Sequence, residues 1–160
     1  MRAAAEAGFD GVIVPDVPLE ETPEICGAAE GAGLCHVGLI APTTTADRRE
    51  RIARSSTGFV YQIAAAGTTG ERKGVAADLE QQVAAVRGTT NLPICVGFGI
   101  STALHVREVC SVADGAIVGS ALVRRIAQGV DAGNKEGAIC ADVESFLTEL
   151  FAGLPGTAAR

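Results

Sequence analysis

Five short apolar runs, each followed by a helical pattern, constrain the fold of this chain more than any other feature of its sequence. The runs are nearly continuous in apolar residues, as expected for strands that are covered on both faces of a sheet. They are GVIVP (11–15), HVGLIAP (36–42), GFVYQIA (58–64), PICVGFG (93–99) and GAIVGS (115–120). Because strand and helix alternate throughout, the sequence predicts an α/β fold with a parallel sheet and right-handed crossovers.

Helical patterns fill the segments between and after the runs, at about 21–32, 46–55, 78–88, 102–110, 120–128 and 138–152. Residues 1–8 are typical of the last turns of a helix that ends at Gly8. A fold normally begins with the element that precedes such a piece, so we interpret the start as lying partway through a fold. We expect one domain over residues 1–152 and a flexible tail over residues 153–160.

Charge and hydropathy exclude two classes of partner. The formal net charge is -6, and no stripe of Lys or Arg is present, so a nucleic-acid partner is not expected. No segment reaches the roughly 20 consecutive apolar residues of a membrane span, and the first residues do not resemble a signal peptide. We therefore expect a soluble protein in the cytoplasm.

Cysteine and histidine are the residues that most often bind metals or carry protons, and neither pattern supports such a role here. The cysteines are odd in number and form no C-x-x-C pair, so we expect buried free thiols in a reducing compartment and no metal site. These residues are Cys26, Cys35, Cys95, Cys110 and Cys140. His36 opens the second apolar run, at the end away from the ligand edge, and His105 falls inside a helical pattern. We expect both histidines to be structural or solvated.

The carboxyl ends of the strands and the amino ends of the following helices share one edge of a parallel α/β fold, and ligands bind there. Glycines at that edge let a ligand approach the main chain, and the free amides at a helix amino terminus favour an anion without help from Lys or Arg. The sequence therefore predicts one phosphate site formed by Gly70, Gly99, Gly119 and Ser120. The alternative is that these glycines only make tight strand-to-helix turns.

In their order and spacing, five segments resemble the tryptophan synthase alpha chain family. They are DGVIVPDVPLEE (10–21), LIAPTTTADR (39–48), GFVYQIAAAGTTGER (58–72), LPICVGFGIST (92–102) and ADGAIVGSALV (113–123). That family has a (β/α)8 TIM-barrel fold, so the resemblance implies an incomplete barrel of about five βα units, corresponding to the fourth through eighth strands.

The resemblance also implies a function. The family cleaves indole-3-glycerol phosphate to indole and glyceraldehyde 3-phosphate in tryptophan biosynthesis, and it passes the indole to a beta chain that carries pyridoxal phosphate. The resemblance therefore implies lyase activity, an alpha2beta2 complex with the beta chain, and no cofactor in the chain itself.

Individual residues match family positions. The phosphate-binding positions of the family match Gly70, Gly99, Gly119 and Ser120, in agreement with the choice made from the residues alone. Pocket-lining positions match Tyr61 and Phe98, with Ile40 and Ile117 beside them. A lid-loop threonine matches Thr69, and a loop at the interface with the beta chain matches Asp16 and Pro18.

Each of these matches has a structural alternative. Tyr61 and Phe98 are also compatible with ordinary packing of a barrel, and the polar loop around Thr69 with a solvated loop that gates nothing. Asp16 is equally suited to capping a turn.

One departure from the family concerns the catalytic residues. The two carboxylates that perform acid–base catalysis in the family, a glutamate and an aspartate, belong to a part of the barrel that precedes residue 1. Asp10, Asp16, Glu20 and Glu21 match other family positions, so none is assigned a catalytic role. Loss of a general acid or base typically costs roughly 10²–10⁴-fold in rate, so we expect the 160-residue chain alone to be inactive.

Three functions remain under consideration. The first is the C-terminal part of a tryptophan synthase alpha chain, and the second is a non-catalytic half-barrel that binds a phosphorylated ligand or the beta chain. The third is another phosphate-binding TIM-barrel isomerase. An unclosed barrel would leave two apolar sheet edges uncovered, so the isolated polypeptide is expected to be unstable or to self-associate.

Overall fold

The computed structural model describes residues 1–64, 75–97 and 99–156, and within those ranges helices and strands alternate as predicted. The strands are β1 (Gly11–Val12), β2 (Cys35–His36), β3 (Gly38–Ile40), β4 (Val60–Ile63), β5 (Ile94–Gly97) and β6 (Gly115–Ile117). The helices are α1 (Arg2–Glu6), α2 (Thr22–Glu30), α3 (Ala46–Ser55), α4 (Val75–Arg87), α5 (Ala103–Cys110), α6 (Ser120–Asp131) and α7 (Glu136–Phe151).

The first helix ends at Glu6, and Gly8, which the sequence predicts as its terminating glycine, follows two residues later. Gly8 has a φ of 85°, in the left-handed region that favours glycine. The Gly8 amide donates to the Ala5 carbonyl at 3.0 Å and the Phe9 amide to the Ala4 carbonyl at 3.1 Å, which satisfies carbonyls at the end of α1.

All strand pairs in the described residues are parallel. β1 pairs with β2, and β3, β4, β5 and β6 pair in that order. The prediction of one strand over 36–42 is wrong in detail, because the run divides at Val37. Before it, Cys35 pairs with Gly11, and after it, Gly38 pairs with Val60. Val37 still donates its amide to the Val12 carbonyl at 3.0 Å, so the chain runs on continuously from one ladder to the other.

The strand register places residues in rows that run across the sheet. One row contains Leu39, Tyr61, Cys95 and Gly115, and a second contains Ile63, Gly97 and Ile117. Between them lies a row of Ile40, Gln62, Val96 and Ala116, which faces the helices. Since successive side chains of a strand point to opposite faces, the first two rows share one face, which we call the inner face.

The core lies between the sheet and the helices. Val60, Ile94 and Val96 pack there against apolar side chains of α4, α5 and α7. The same layer holds a buried polar residue, Gln62, which is 1% exposed. Its Nε2 donates to the Ile63 carbonyl at 2.9 Å and to Gln82 Oε1 at 3.2 Å, so both donors of the buried amide nitrogen have partners.

The predicted tail begins in contact with the domain. Gly153 packs against α5 so closely that a Cβ there would overlap the Ala103 carbonyl oxygen. Leu154 is partly buried against the core cluster. Residues 157–160 lie outside the described residues, and flexibility of the tail remains a prediction.

The cysteines form no disulfide, but the expectation that they are buried is wrong. Cys140 is exposed on α7, and the other four are of intermediate exposure. No group of acidic, histidine or cysteine side chains in the described ranges is arranged to hold a metal ion. Among the same residues, no helix has the length and hydropathy needed to span a membrane.

Candidate functional site

The ends of β5 and β6 lie side by side, and a glycine follows each of them. Gly97 pairs with Ile117 at the last position of the ladder between these strands. Gly99 and Gly119 each lie two residues beyond that pair. The register thus places two of the predicted phosphate-binding glycines at the same edge of the sheet.

The main chain at Gly99 takes a conformation that other residues rarely adopt. Its φ is 74°, and a Cβ added there would meet no atom within 4 Å. Ile100, which follows, is buried and belongs to the core cluster. Gly99 is therefore an exposed turn residue that is followed directly by a buried one.

Gly119 and Ser120 form the amino terminus of α6. The Gly119 carbonyl accepts from the Leu122 and Val123 amides at 3.0 and 3.2 Å, and no side chain caps this end of the helix. Both residues are exposed, and a Cβ at position 119 would meet nothing within 4 Å. Uncapped amides at a helix amino terminus carry a partial positive charge and suit an anion.

Tyr61 lies on the inner face beside these strand ends. Its ring covers Gly97, and a Cβ on Gly97 would overlap the Tyr61 hydroxyl. Burial raises the pKa of the Tyr61 phenol above its ordinary value, so the phenol is neutral at neutral pH. Ile117 is on the same face, because it pairs with Gly97. The structure therefore places Tyr61 and Ile117 on the same face of the sheet, while their role in a substrate pocket stays a prediction.

Ile40 does not join them. It pairs with Gln62 and is 1% exposed in the core beneath the helices. The residue that pairs with Tyr61 is Leu39, so Leu39 occupies the place on the inner face that the sequence assigned to Ile40. Alternation within a strand was predicted, but the register between two strands decides which neighbours share a face.

Three predicted site residues, Thr69, Gly70 and Phe98, lie outside the described residues. Asp16 and Pro18 are exposed in the segment between β1 and α2. The Pro18 carbonyl accepts from the Glu21 amide at 2.9 Å, and Leu19 beside it is buried. This anchors the segment and leaves Asp16 and Pro18 at the surface, while their role in an interface stays a prediction.

Neither inner row contains an acidic residue. Asp10 precedes β1 at its amino end, where its carbonyl accepts from the Cys35 amide, and Asp16, Glu20 and Glu21 are exposed in the following segment. The rows beside Tyr61 thus offer main-chain, apolar, thiol and phenol groups, and no carboxylate.

The histidines occupy different environments. His36 is buried, with Nδ1 3.3 Å from the Ser55 carbonyl oxygen and 3.4 Å from the Cys26 thiol. His105 lies in the first turn of α5, at the same edge as Gly99, and its Nδ1 accepts from the Ser101 amide at 3.3 Å. Sequence reasoning missed this contact, although the spacing of Thr102 and His105 resembles a capping box.

Parallel strands, alternating helices and glycine turns at two neighbouring strand ends are typical of phosphate-binding β/α barrels. The comparison with known proteins is more specific. The family model for the tryptophan synthase alpha chain matches residues 1–150, and this chain belongs to that family.

Relatives support the assignment over most of the chain. The tryptophan synthase alpha chain of Opitutus terrae is 42% identical over 96% of this chain and 56% of its own length. That of Synechococcus sp. (strain CC9902) is 47% identical over 92% of this chain and 53% of its own length. The chain therefore spans about half the length of the curated relatives it matches.

Solved structures agree. Tryptophan synthase subunit alpha from Legionella pneumophila superposes with a TM-score of 0.80 at 29% identity, covering 96% of this chain and 55% of that chain. The subunit from Campylobacter jejuni gives a TM-score of 0.78 at 30% identity, over 92% of this chain and 56% of that chain. The predicted TIM-barrel type of fold, incomplete in this chain, is confirmed.

Proposed function

We propose that this chain forms the phosphate-binding end and part of the pocket wall of a cytoplasmic tryptophan synthase alpha chain. The reaction is the cleavage of indole-3-glycerol phosphate to indole and glyceraldehyde 3-phosphate. The carbon–carbon bond to the indole ring breaks, the ring carbon gains a proton, and a glycerol hydroxyl loses one to become the aldehyde. The role of this chain is to hold the phosphate and the ring while those protons move.

The observation that supports the proposal is the register at the end of β5 and β6. It puts Gly99 and the amino terminus of α6 at the same edge of the sheet as the end of β5, over which the Tyr61 ring lies. A phosphate bound by those amides would direct the rest of the substrate along the apolar inner face. Tyr61, Ile63 and Ile117 would then contact the substrate's apolar part.

Proton transfer requires groups beyond those described in this chain. Because neither inner row carries a carboxylate, we propose that the 160-residue chain alone does not turn over substrate. We further propose that the chain itself uses no cofactor. Its proposed partner is the tryptophan synthase beta chain, which would carry pyridoxal phosphate, with Asp16 and Pro18 at the contact.

A substitution at the amino terminus of α6 tests the phosphate site. Gly119→Asp supplies a carboxylate at a position where helices favour aspartate, so the fold is expected to be as stable as before or slightly more stable. The same carboxylate competes with and repels a phosphate. We expect calorimetric titration with glycerol 3-phosphate to show binding by the parent chain and at least a tenfold weaker affinity in the variant, roughly the effect of one lost charge-assisted contact.

The matched control is Lys135→Asp. Lys135 is the exposed N-cap residue of α7, which likewise has no side-chain cap, so the change introduces the same residue at another helix end. It also lowers the net charge, and therefore reports any effect of long-range charge on affinity. Equal loss of affinity in both variants, or no binding by the parent, contradicts the site. If the parent chain alone cleaved indole-3-glycerol phosphate, the proposal that proton transfer needs groups beyond those described in this chain would be contradicted.

A further inference from the structure

His105 connects the turn after β5 to the first turn of α5 through two hydrogen bonds. Its Nδ1 accepts from the Ser101 amide at 3.3 Å, and its own amide donates to Thr102 Oγ1 at 3.2 Å. Thr102 is the N-cap residue of the helix and His105 is the third helical residue. The arrangement is a capping box in which the side chain reaches one residue further back than usual.

These two hydrogen bonds restrain the short segment that begins at Gly99, a residue of the proposed phosphate site. Gly99 lies two residues before Ser101, and Ile100 between them is buried in the core. Gly99 has a φ of 74°, in the region that favours glycine, and among the described residues no atom lies within 4 Å of where its Cβ would be. The two residues that follow Gly99 are both anchored, Ile100 by its burial and Ser101 by its hydrogen bond to His105.

We propose that His105 is a positioning residue for the phosphate site, acting by holding the Ser101 amide and thereby the Gly99 turn. The inference rests on the proposed function and adds to it a residue outside the ligand-contacting set. The bond requires an unprotonated Nδ1, so the ring proton of the neutral imidazole is on Nε2. His105 does not contact the phosphate and carries no proton in the reaction.

Two variants of His105 separate its hydrogen bond from its bulk. His105→Leu removes the acceptor, whereas His105→Asn keeps an acceptor, since Asn Oδ1 occupies nearly the same place as His Nδ1. Leu104→Asn is the control, because Leu104 is the exposed neighbour in the same turn and the change introduces the same residue as His105→Asn. All are made in the 160-residue chain, with circular dichroism as the check of folding.

Two measurements are made on each variant. Amide hydrogen exchange at Ser101, followed by NMR, is expected to be about tenfold faster in His105→Leu and close to the parent rate in His105→Asn and Leu104→Asn. Titration with glycerol 3-phosphate is expected to show about tenfold weaker affinity in His105→Leu and restoration to within about threefold in His105→Asn.

The outcomes distinguish this inference from the proposed function. If the parent binds glycerol 3-phosphate and His105→Leu binds it equally well, the positioning role is wrong and the phosphate site stands. Failure of His105→Asn to restore either measurement also overturns the role. If the parent does not bind the probe, the phosphate site is wrong and the role of His105 toward it is wrong with it.

Discussion

The ring of Tyr61 lies over Gly97, the last residue of β5. Glycine is required there because a side chain would collide with the ring, and not because of the backbone conformation. Gly97→Ala would push a methyl group into the phenol, and we expect it to lower the free energy of unfolding by about 1–3 kcal/mol, the usual cost of overpacking. Urea unfolding monitored by Tyr61, the single tyrosine of the chain, measures the change.

Gly27→Ala is the control, because Gly27 is exposed within α2 and a Cβ there would meet nothing. The same glycine-to-alanine change should raise stability by about 0.5–1 kcal/mol, since alanine loses less backbone entropy in a helix. If both substitutions raised the free energy of unfolding, or both lowered it, the packing assigned to Tyr61 would be contradicted.

The Asp114 carboxylate joins β5 to β6 and to α4. Asp114 Oδ2 accepts from the Ile94 amide at 2.8 Å and from Arg87 Nη2 at 2.9 Å. These bonds, the Ile94 amide foremost, hold the pKa of Asp114 below its ordinary value. Asp114→Asn is expected to cost about 1 kcal/mol at pH 7, a modest figure because the side chain is 41% exposed.

The loss of stability caused by Asp114→Asn should become smaller as the pH falls. Because the pKa is lowered by folding, the stabilisation is fully present above the ordinary value of about 3.9 and is lost as the pH falls through the lower, folded-state pKa. Unfolding free energies of parent and variant should converge at the acid end. Asp142→Asn, which removes an exposed ion pair with Arg125, should cost within about 1 kcal/mol. If Asp114→Asn still differed from the parent in unfolding free energy at the lowest pH, the stabilising role assigned to the Asp114 carboxylate would be refuted.

Thiol reactivity should follow exposure. Burial raises the pKa of the Cys95 thiol, with smaller contributions from Asp114 and Cys110, and burial also raises the pKa of Cys110 and of Cys26. A raised pKa leaves little reactive thiolate at neutral pH. In timed iodoacetamide labelling read by mass spectrometry, exposed Cys140 should react first and Cys95 among the last. The order should disappear in denaturant, and early labelling of Cys95 in the native protein would be inconsistent with its placement.

The outer surface of α6 should promote self-association. Val123, Ile126 and Val130 are 65%, 44% and 60% exposed, and the last two line an apolar groove shared with α7. We expect light scattering of the purified chain to show association that increases with concentration. Val123→Glu with Val130→Glu should raise the monomer fraction, whereas Leu104→Glu, at an exposed apolar residue of α5, should not. A monodisperse parent monomer with a cooperative melt would contradict this expectation.

Local patterns in the sequence predicted the elements well. The helix over 46–55 begins and ends where the sequence places it, and the other helices agree to within about three residues. Helices depend on contacts between residues three and four positions apart, and the stop signal at Gly8 is equally local. The glycine ends of β5 and β6 were predictable for the same reason.

The sequence by itself therefore determined the α/β class, the helix bounds and the residue types at the strand ends. Only the tertiary structure decided that Leu39 and not Ile40 lies beside Tyr61, that the second run divides at Val37, and that His105 holds Ser101. The first two depend on register between strands distant in sequence, which packing sets and the period of a single strand does not encode. The third is a contact between residues four apart, but it depends on the rotamer of the His105 side chain, which the spacing of the residues does not fix.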